Sequence, residues 1–444
     1  MIEPITQNNL SNVKDRLLRE NMKIYVDAYS SFLSQLKASG IPVDDRDDSF
    51  EIDGLQNKLI AKGVISRNNG FSFVRGNISG ACLDCRTGYA TSTFILSLKC
   101  NRDCYFCINK NQDDYQINKN TIRDIIKDFD RSLFLYKELK SAAITGGEPL
   151  LFLRECKDFI RHAKQRQPDI QIRIYTNGDL ASEDTIRELA AAGLDEIRVG
   201  IKFDDNFTPP ENVMLNIKNM IGLIPRVMVE IPIAPDSYDK MTACLDKLNE
   251  FGVYSVNILE FLFPWVHLED YLKKGYKIKN RPYKVLYHYA YVGGLPIAGS
   301  EGECLKLIKH AAEKDYQMGV HYCSLENKLT SQIWHQNSDF KIKDHEYFSP
   351  NDYFIKTAVV FGENAKKVKK ILNNKGCYKY QYDKSGNFIE FHVSYLEKLE
   401  GCGIEMGLST QVYDVIENKN TLRELALDLV DLKNSDVGKL ESFI

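Results

Sequence analysis

Between Thr91 and Cys323 the chain repeats a two-part pattern, a short β-rich run followed by a longer stretch of helical periodicity. The short runs fall at 92–98, 140–145, 170–175, 195–201, 226–233, 253–261 and 317–322. Segments between them, such as 121–139 and 182–192, carry apolar residues at the three- and four-residue spacing of an amphipathic helix, and Gly193 stands where a helix C-terminus favours glycine. Repeated βα units specify a parallel sheet, because a parallel return needs a long crossover and a helix supplies it. Six or seven units predict an α/β fold of the partial (β/α)6-type TIM-barrel kind. A doubly wound sheet would give the same pattern, and in both architectures chemistry gathers beyond the carboxyl ends of the strands.

The flanking segments have other textures. The first forty residues read as helical, with Leu17, Ile24, Tyr25, Ala28 and Phe32 at mixed three- and four-residue spacings. The stretch 264–314 is rich in Tyr and Lys and reads as an insertion between the last two strands. After Tyr347, a strand at 353–361, a helix at 363–374 and two strands within 378–396 predict a small α+β domain. The expected division is therefore 1–88, an N-terminal helical and accessory region; 89–325, the partial barrel with the 264–314 insertion; and 350–444, the C-terminal α+β domain.

A 444-residue chain that is 43% hydrophobic can build a sizeable globular core. Its 58 Lys and Arg against 61 Asp and Glu leave a formal charge of −3, so neither a nucleic-acid partner nor an anionic membrane surface finds support. No stretch approaches the roughly 18 apolar residues of a membrane span. The opening residues are polar and lack the apolar core of a secretion signal. Eleven cysteines, an odd number, then fit reduced thiols and metal sites better than a disulfide framework, and a cytoplasmic location is expected.

The candidate chemistry lies at strand ends. Cys100, Cys104 and Cys107 follow the first strand at C-x3-C-x2-C spacing. Three thiolates can hold three corners of a cubane iron–sulfur cluster and leave the fourth iron open, whereas structural zinc wants four ligands and no fourth Cys or His stands beside this trio. Gly146-Gly147-Glu148-Pro149 follows the second strand, where glycines allow close backbone approach and a carboxylate can accept from an ammonium group. Tyr175-Thr176-Asn177-Gly178 closes the third. Lys202, Glu230 and Glu260 end later strands, as ligand contacts or as ordinary rim charges and ion pairs. Cys82-x2-Cys85 is half a metal site, with Cys323 the best further ligand and His321 a weaker one. An auxiliary iron–sulfur cluster, a zinc ion and free thiols all remain open for it. Cys156, Cys244 and Cys304 fall in helical patterns and read as packing residues, and Cys377 and Cys402 are unassigned.

The cysteine run, with aromatic Phe106 before its last member, resembles the motif of the radical S-adenosylmethionine (radical SAM) superfamily. The resemblance implies a 4Fe-4S cluster on Cys100, Cys104 and Cys107 whose open iron chelates S-adenosylmethionine. One electron then cleaves the sulfonium to a 5′-deoxyadenosyl radical. It also implies that Gly146, Gly147, Glu148 and Pro149 bind the methionine amino group and that Thr176 and Asn177 lie at its ribose or methionine end. Phe106, Lys202 and Glu230 join the cofactor-binding set. Val320-His321-Tyr322-Cys323-Ser324 and the upstream Cys82-Leu83-Asp84-Cys85 are similar to poorly characterised proteins related to the activating enzyme of pyruvate formate-lyase, which is shorter and lacks both flanking regions. No Asp-x-His-x2-Gly cobalamin signature is present. The expected function is hydrogen abstraction from a peptide or protein, with a flavodoxin- or ferredoxin-type electron donor. The alternatives are a radical enzyme on a small metabolite and a non-catalytic iron–sulfur redox protein.

Overall fold

The computed structural model describes residues 2–136, 138–287, 293–385, 387–416 and 419–430. Positions 288–292 of the expected insertion and 431–444 of the expected C-terminal domain lie outside the described residues. The chain divides into two compact units, one of residues 41–282 and 293–331, the other of 2–40, 283–287 and 332–430. The sequence division at residue 88 kept 1–40 together with 41–88, whereas the compact units group 1–40 with the C-terminal segment and 41–88 with the βα repeats.

The first unit carries seven parallel strands, β1 (Thr91–Ser97), β2 (Ser141–Gly146), β3 (Gln171–Thr176), β4 (Glu196–Gly200), β5 (Arg226–Ile233), β6 (Ser255–Glu260) and β7 (Gly319–Cys323). They lie side by side in chain order, and an antiparallel hairpin, Ile65–Arg67 and Ser72–Arg75, extends the β7 side. β1 and Ile65–Arg67 are the two edges, so the sheet is a partial barrel that does not close. Alternation along each strand explains its two faces. Ile172, Ile174, Ile197, Val199, Val229 and Ile231 are fully buried in one apolar cluster with Phe129, Phe159 and Leu189 of the surrounding helices. Arg173, Tyr175, Glu196, Arg198, Glu230 and Asn257 take the alternate positions, and their side chains bond one another. A representative helix, Glu183–Ala192, is capped by Ser182, which accepts from the Thr185 N–H, and is stopped at Gly193 with φ 101°.

The second unit is an antiparallel sheet in the order Ile2–Glu3, Lys419–Val430, Met406–Ile416, Ile355–Phe361, Phe388–Phe391, Tyr380–Asp383. Adjacent residues of Ile355–Phe361 serve opposite faces. Val360 packs with Ala365, Val368 and Leu372 of helix Gly362–Asn374, and Val359 packs with Leu18, Met22 and Val26 of helix Arg16–Ala38. Among the described residues no helix is long and apolar enough to cross a membrane.

Candidate active site

The loop leaving β1 and the turn leaving β2 are joined through backbone. Gly147 N donates to Ser97 O at 2.8 Å and Glu148 N to Lys99 O at 2.8 Å. A Cβ on Gly146 would strike Ser97 O, and one on Gly147 would lie 2.5 Å from Lys99 C and 2.6 Å from Leu98 O. The glycine pair therefore lets the turn seat the chain one residue before Cys100, and Gly146, at φ 141°, also adopts backbone that side chains disfavour.

Glu148 is 1% exposed, and its carboxylate accepts from Thr176 Oγ1 (2.7 Å), Asn177 N (2.7 Å) and Leu150 N (3.0 Å). Burial outweighs these bonds and holds its pKa above the ordinary carboxylate value. Its work in this geometry is to lock the end of β3 to the turn after β2. Asn177 continues the chain of contacts, donating to Asn101 Oδ1 at 2.7 Å and approaching Cys100 Sγ at 3.9 Å. Arg102 meets Asp179 with Nε at 2.6 Å and Nη2 at 2.5 Å, a two-pronged pair that fixes the cysteine loop from its far side. Burial raises the pKa of Cys100 and of Cys104.

One cavity of about 310 Å³ gathers the strand ends. Cys100, Cys104, Cys107, Phe106, Gly146 and Gly147 line it, as do Thr176, Asn177, Lys202 and Glu230. Glu148 and Pro149 do not; they stand behind the glycines. Phe106 packs edge-on against Phe261 at 5.8 Å, and the Lys202 ammonium sits 5.8 Å from the Phe106 ring centre. Glu230 is held by Arg198 Nη1 (3.1 Å) and Asn257 Nδ2 (3.0 Å). Glu260 reaches the same cavity and accepts from Leu325 N at 2.9 Å; burial first, then Glu301, lift its pKa to about 8.

Cys82 lies in the short helix Gly80–Asp84, Cys85 caps it, and Cys323 ends β7. Cys82 accepts from Arg198 Nη2 at 3.3 Å and Cys323 from Asn327 Nδ2 at 3.2 Å. His321 is engaged at both ring nitrogens, by Asn257 Oδ1 and Ser72 Oγ, each at 2.9 Å. Among the described residues no three His, Cys, Asp or Glu side chains converge as a single-ion site. Cys156, Cys244 and Cys304 are buried packing residues.

Sequence reasoning passed over Asn101, Arg102, Asp179, Arg198 and Lys328. The signal for Arg198 was present, since Arg173 and Tyr175, and then Glu196 and Arg198, are polar residues two apart within strand runs and must share one face.

Residues 94–272 match the family model described as the Radical SAM superfamily. A protein of Methanocaldococcus jannaschii, provisionally named a glycyl-radical enzyme activating enzyme, is 27% identical over 250 residues, or 54% of this chain and 62% of that protein. GTP 3′,8-cyclase of Campylobacter jejuni is 32% identical over 109 residues, 23% of this chain and 32% of the enzyme. The chain thus spans less than two thirds of these curated relatives. Streptococcus suis SuiB is similar at a TM-score of 0.38 with 13% identity, over 71% of this chain and 64% of that one. Residues 94–272, the stretch that holds Cys100, Cys104, Cys107 and the Gly146-Gly147 turn, are thus similar to the radical SAM superfamily.

Proposed function

We propose that this protein is a radical SAM enzyme in which Cys100, Cys104 and Cys107 carry a 4Fe-4S cluster. The observation that carries the reading is the single cavity onto which these three thiols, the Gly146-Gly147 backbone and the Thr176-Asn177 strand end all open. The donor set fits the group, because three thiols without a fourth protein ligand leave one iron for an exogenous chelate. Cluster and S-adenosylmethionine, when bound, supply a one-electron cleavage that yields a 5′-deoxyadenosyl radical. The chain's own residues then have separable tasks. Gly146 and Gly147 admit the methionine end to the backbone, Asn177 and Arg102 fix the cysteine loop, and Phe106 and Phe261 wall the cavity against water. Lys202 and Glu230 are polar contacts for the cofactor.

The substrate class favoured is a peptide or protein. Its support is the M. jannaschii relative, whose name concerns activation of another enzyme, and the second unit, whose sheet ends on Tyr380–Asp383 with a side that pairs with no described strand. An open edge of that kind can take an extended peptide as an added strand. A small metabolite is the second reading, favoured by a cavity near the bottom of the roughly 300–1,000 Å³ usual for ligand sites.

The test is an anaerobic assay for 5′-deoxyadenosine with S-adenosylmethionine and a low-potential reductant. The wild-type protein forms it, and Cys100→Ala/Cys104→Ala/Cys107→Ala does not. Equal formation by the variant refutes the assignment. Mass spectrometry of cellular peptides and metabolites, with the gene intact or deleted, separates the two substrate readings.

A further inference from the structure

Cys82, Cys85 and Cys323 sit among cations, Arg173 and Arg198 buried and Arg67 and Lys328 half-buried, that outnumber the carboxylates bonded to them. Arg67 lies within electrostatic reach of Cys82, Cys85 and Cys323 together, and its Nη1 is buried without a hydrogen-bond partner among the described residues. Arg173 and Arg198 both face Cys85, as does Lys328, which also faces Cys323. Glu196 and Glu230 are bound to Arg198, at 2.6 and 3.1 Å, and Arg226 adds a second cation to Glu196 at 3.3 Å. Arg173 is 6% exposed and, among the described residues, hydrogen-bonds only the hydroxyls of Ser141, Thr91 and Tyr175, with Glu196 the carboxylate in its electrostatic reach. Buried charge in excess of its counter-charge is costly, so a place where guanidinium groups outnumber carboxylates around three cysteines is built for an anion.

We infer that Cys82, Cys85 and Cys323 hold a second iron–sulfur cluster, with Arg67, Arg173, Arg198 and Lys328 as its cationic surround. Three thiolates on an iron–sulfur core carry net negative charge, which the surplus cations balance. Arg198 Nη2 and Asn327 Nδ2 already point at Cys82 and Cys323, the hydrogen bonds to sulfur that tune such clusters. Zinc fits less well: a structural zinc wants four ligands, His321 is occupied on both nitrogens, and among the described residues no three His, Cys, Asp or Glu side chains gather as a single-ion site. Arg198 and Lys328 also line the cavity of the first site, so the second cluster borders the space in which substrate is held. The inference does not depend on cofactor cleavage at Cys100, Cys104 and Cys107.

The experiment is iron and sulfide analysis of anaerobically reconstituted protein, with EPR after reduction. Cys100→Ala/Cys104→Ala/Cys107→Ala should retain about four iron and four sulfide per chain, with an iron–sulfur EPR signal after reduction. Wild type should hold about twice as much, and Cys82→Ser/Cys85→Ser/Cys323→Ser should fall back to about four iron. A Cys100-site variant devoid of iron, or one that takes up a single zinc in its place, overturns the inference. So does a wild-type content that the Cys82-site substitutions leave unchanged.

Discussion

Replacing Gly147 by Ala tests how the barrel seats its cysteine loop. The new methyl carbon would lie 2.5 Å from Lys99 C and 2.6 Å from Leu98 O, whereas non-bonded carbons settle at about 3.5–4.0 Å. Every atom it meets is backbone, so no rotamer change gives relief, and the strand end must retreat by about 1 Å. Overpacking of that kind costs about 1–3 kcal/mol. The retreat also weakens the bonds from Gly147 N to Ser97 O and from Glu148 N to Lys99 O, each worth about 1 kcal/mol net. A loss of about 2–4 kcal/mol is expected in urea unfolding. Because Lys99 precedes Cys100, reconstituted iron should fall in parallel. Gly54→Ala is the control, since that glycine lies inside helix Ser49–Ala61 with nothing within 4 Å of its added carbon, and it should be neutral or slightly stabilising. If Gly147→Ala keeps wild-type stability and iron content, the proposed role of the glycine pair is wrong.

Arg198→Met should cost about 1.5–3 kcal/mol in urea unfolding, because it removes the guanidinium shared by Glu196 and Glu230 and leaves Glu196 to Arg226 and Ser79 and Glu230 to Asn257; a loss under about 1 kcal/mol would show that the network contributes little. Glu148→Ala leaves the Thr176 hydroxyl and the Asn177 and Leu150 N–H groups without their acceptor, and should destabilise by about 2–4 kcal/mol while lowering iron loading; unchanged loading would separate Glu148 from the cysteine loop. Glu260 gives a pH test. Its folded pKa of about 8 lies above the ordinary 4.5, raised by burial, Glu301 and Glu326 against the opposing Lys279 and the Leu325 N–H. The folded state therefore holds a proton that the unfolded chain has released, and this stabilisation is lost as pH rises toward and through 8. Urea midpoints measured from pH 5 to 9 should fall more steeply for wild type than for Glu260→Gln, and parallel slopes would contradict the assignment.

The barrel was legible because each of the seven parallel strands follows a short β-rich run, and 195–201 and 317–322 were placed within about two residues of β4 and β7. The long hairpin Met406–Ile416 and Lys419–Val430 was passed over, although Met406, Leu408 and Val412 alternate with Gly407, Ser409 and Gln411 in the period of two that a strand requires. Grouping of the N-terminal helix with the C-terminal sheet rests partly on Ile2–Glu3 pairing with Leu429 and Val430, a two-residue strand with no local signature. At the site, the motif spacing singled out Cys100, Gly146 and Asn177, all three of which the structure brings to one cavity. It gave no hint that Glu148 would be consumed by Thr176 and Asn177, because that bonding depends on how far β2 and β3 project beyond the sheet. The Arg102–Asp179 pair joins residues 77 apart, and such a partnership is set by topology alone.

The central claim, that Cys100, Cys104 and Cys107 present a cluster with an iron free for S-adenosylmethionine, is tested most directly by EPR of the reduced, anaerobic Cys82→Ser/Cys85→Ser/Cys323→Ser protein before and after that cofactor is added. A 4Fe-4S signal whose g-values move on addition is the predicted result. A signal indifferent to the cofactor, or a properly reconstituted protein with no such signal, would contradict it.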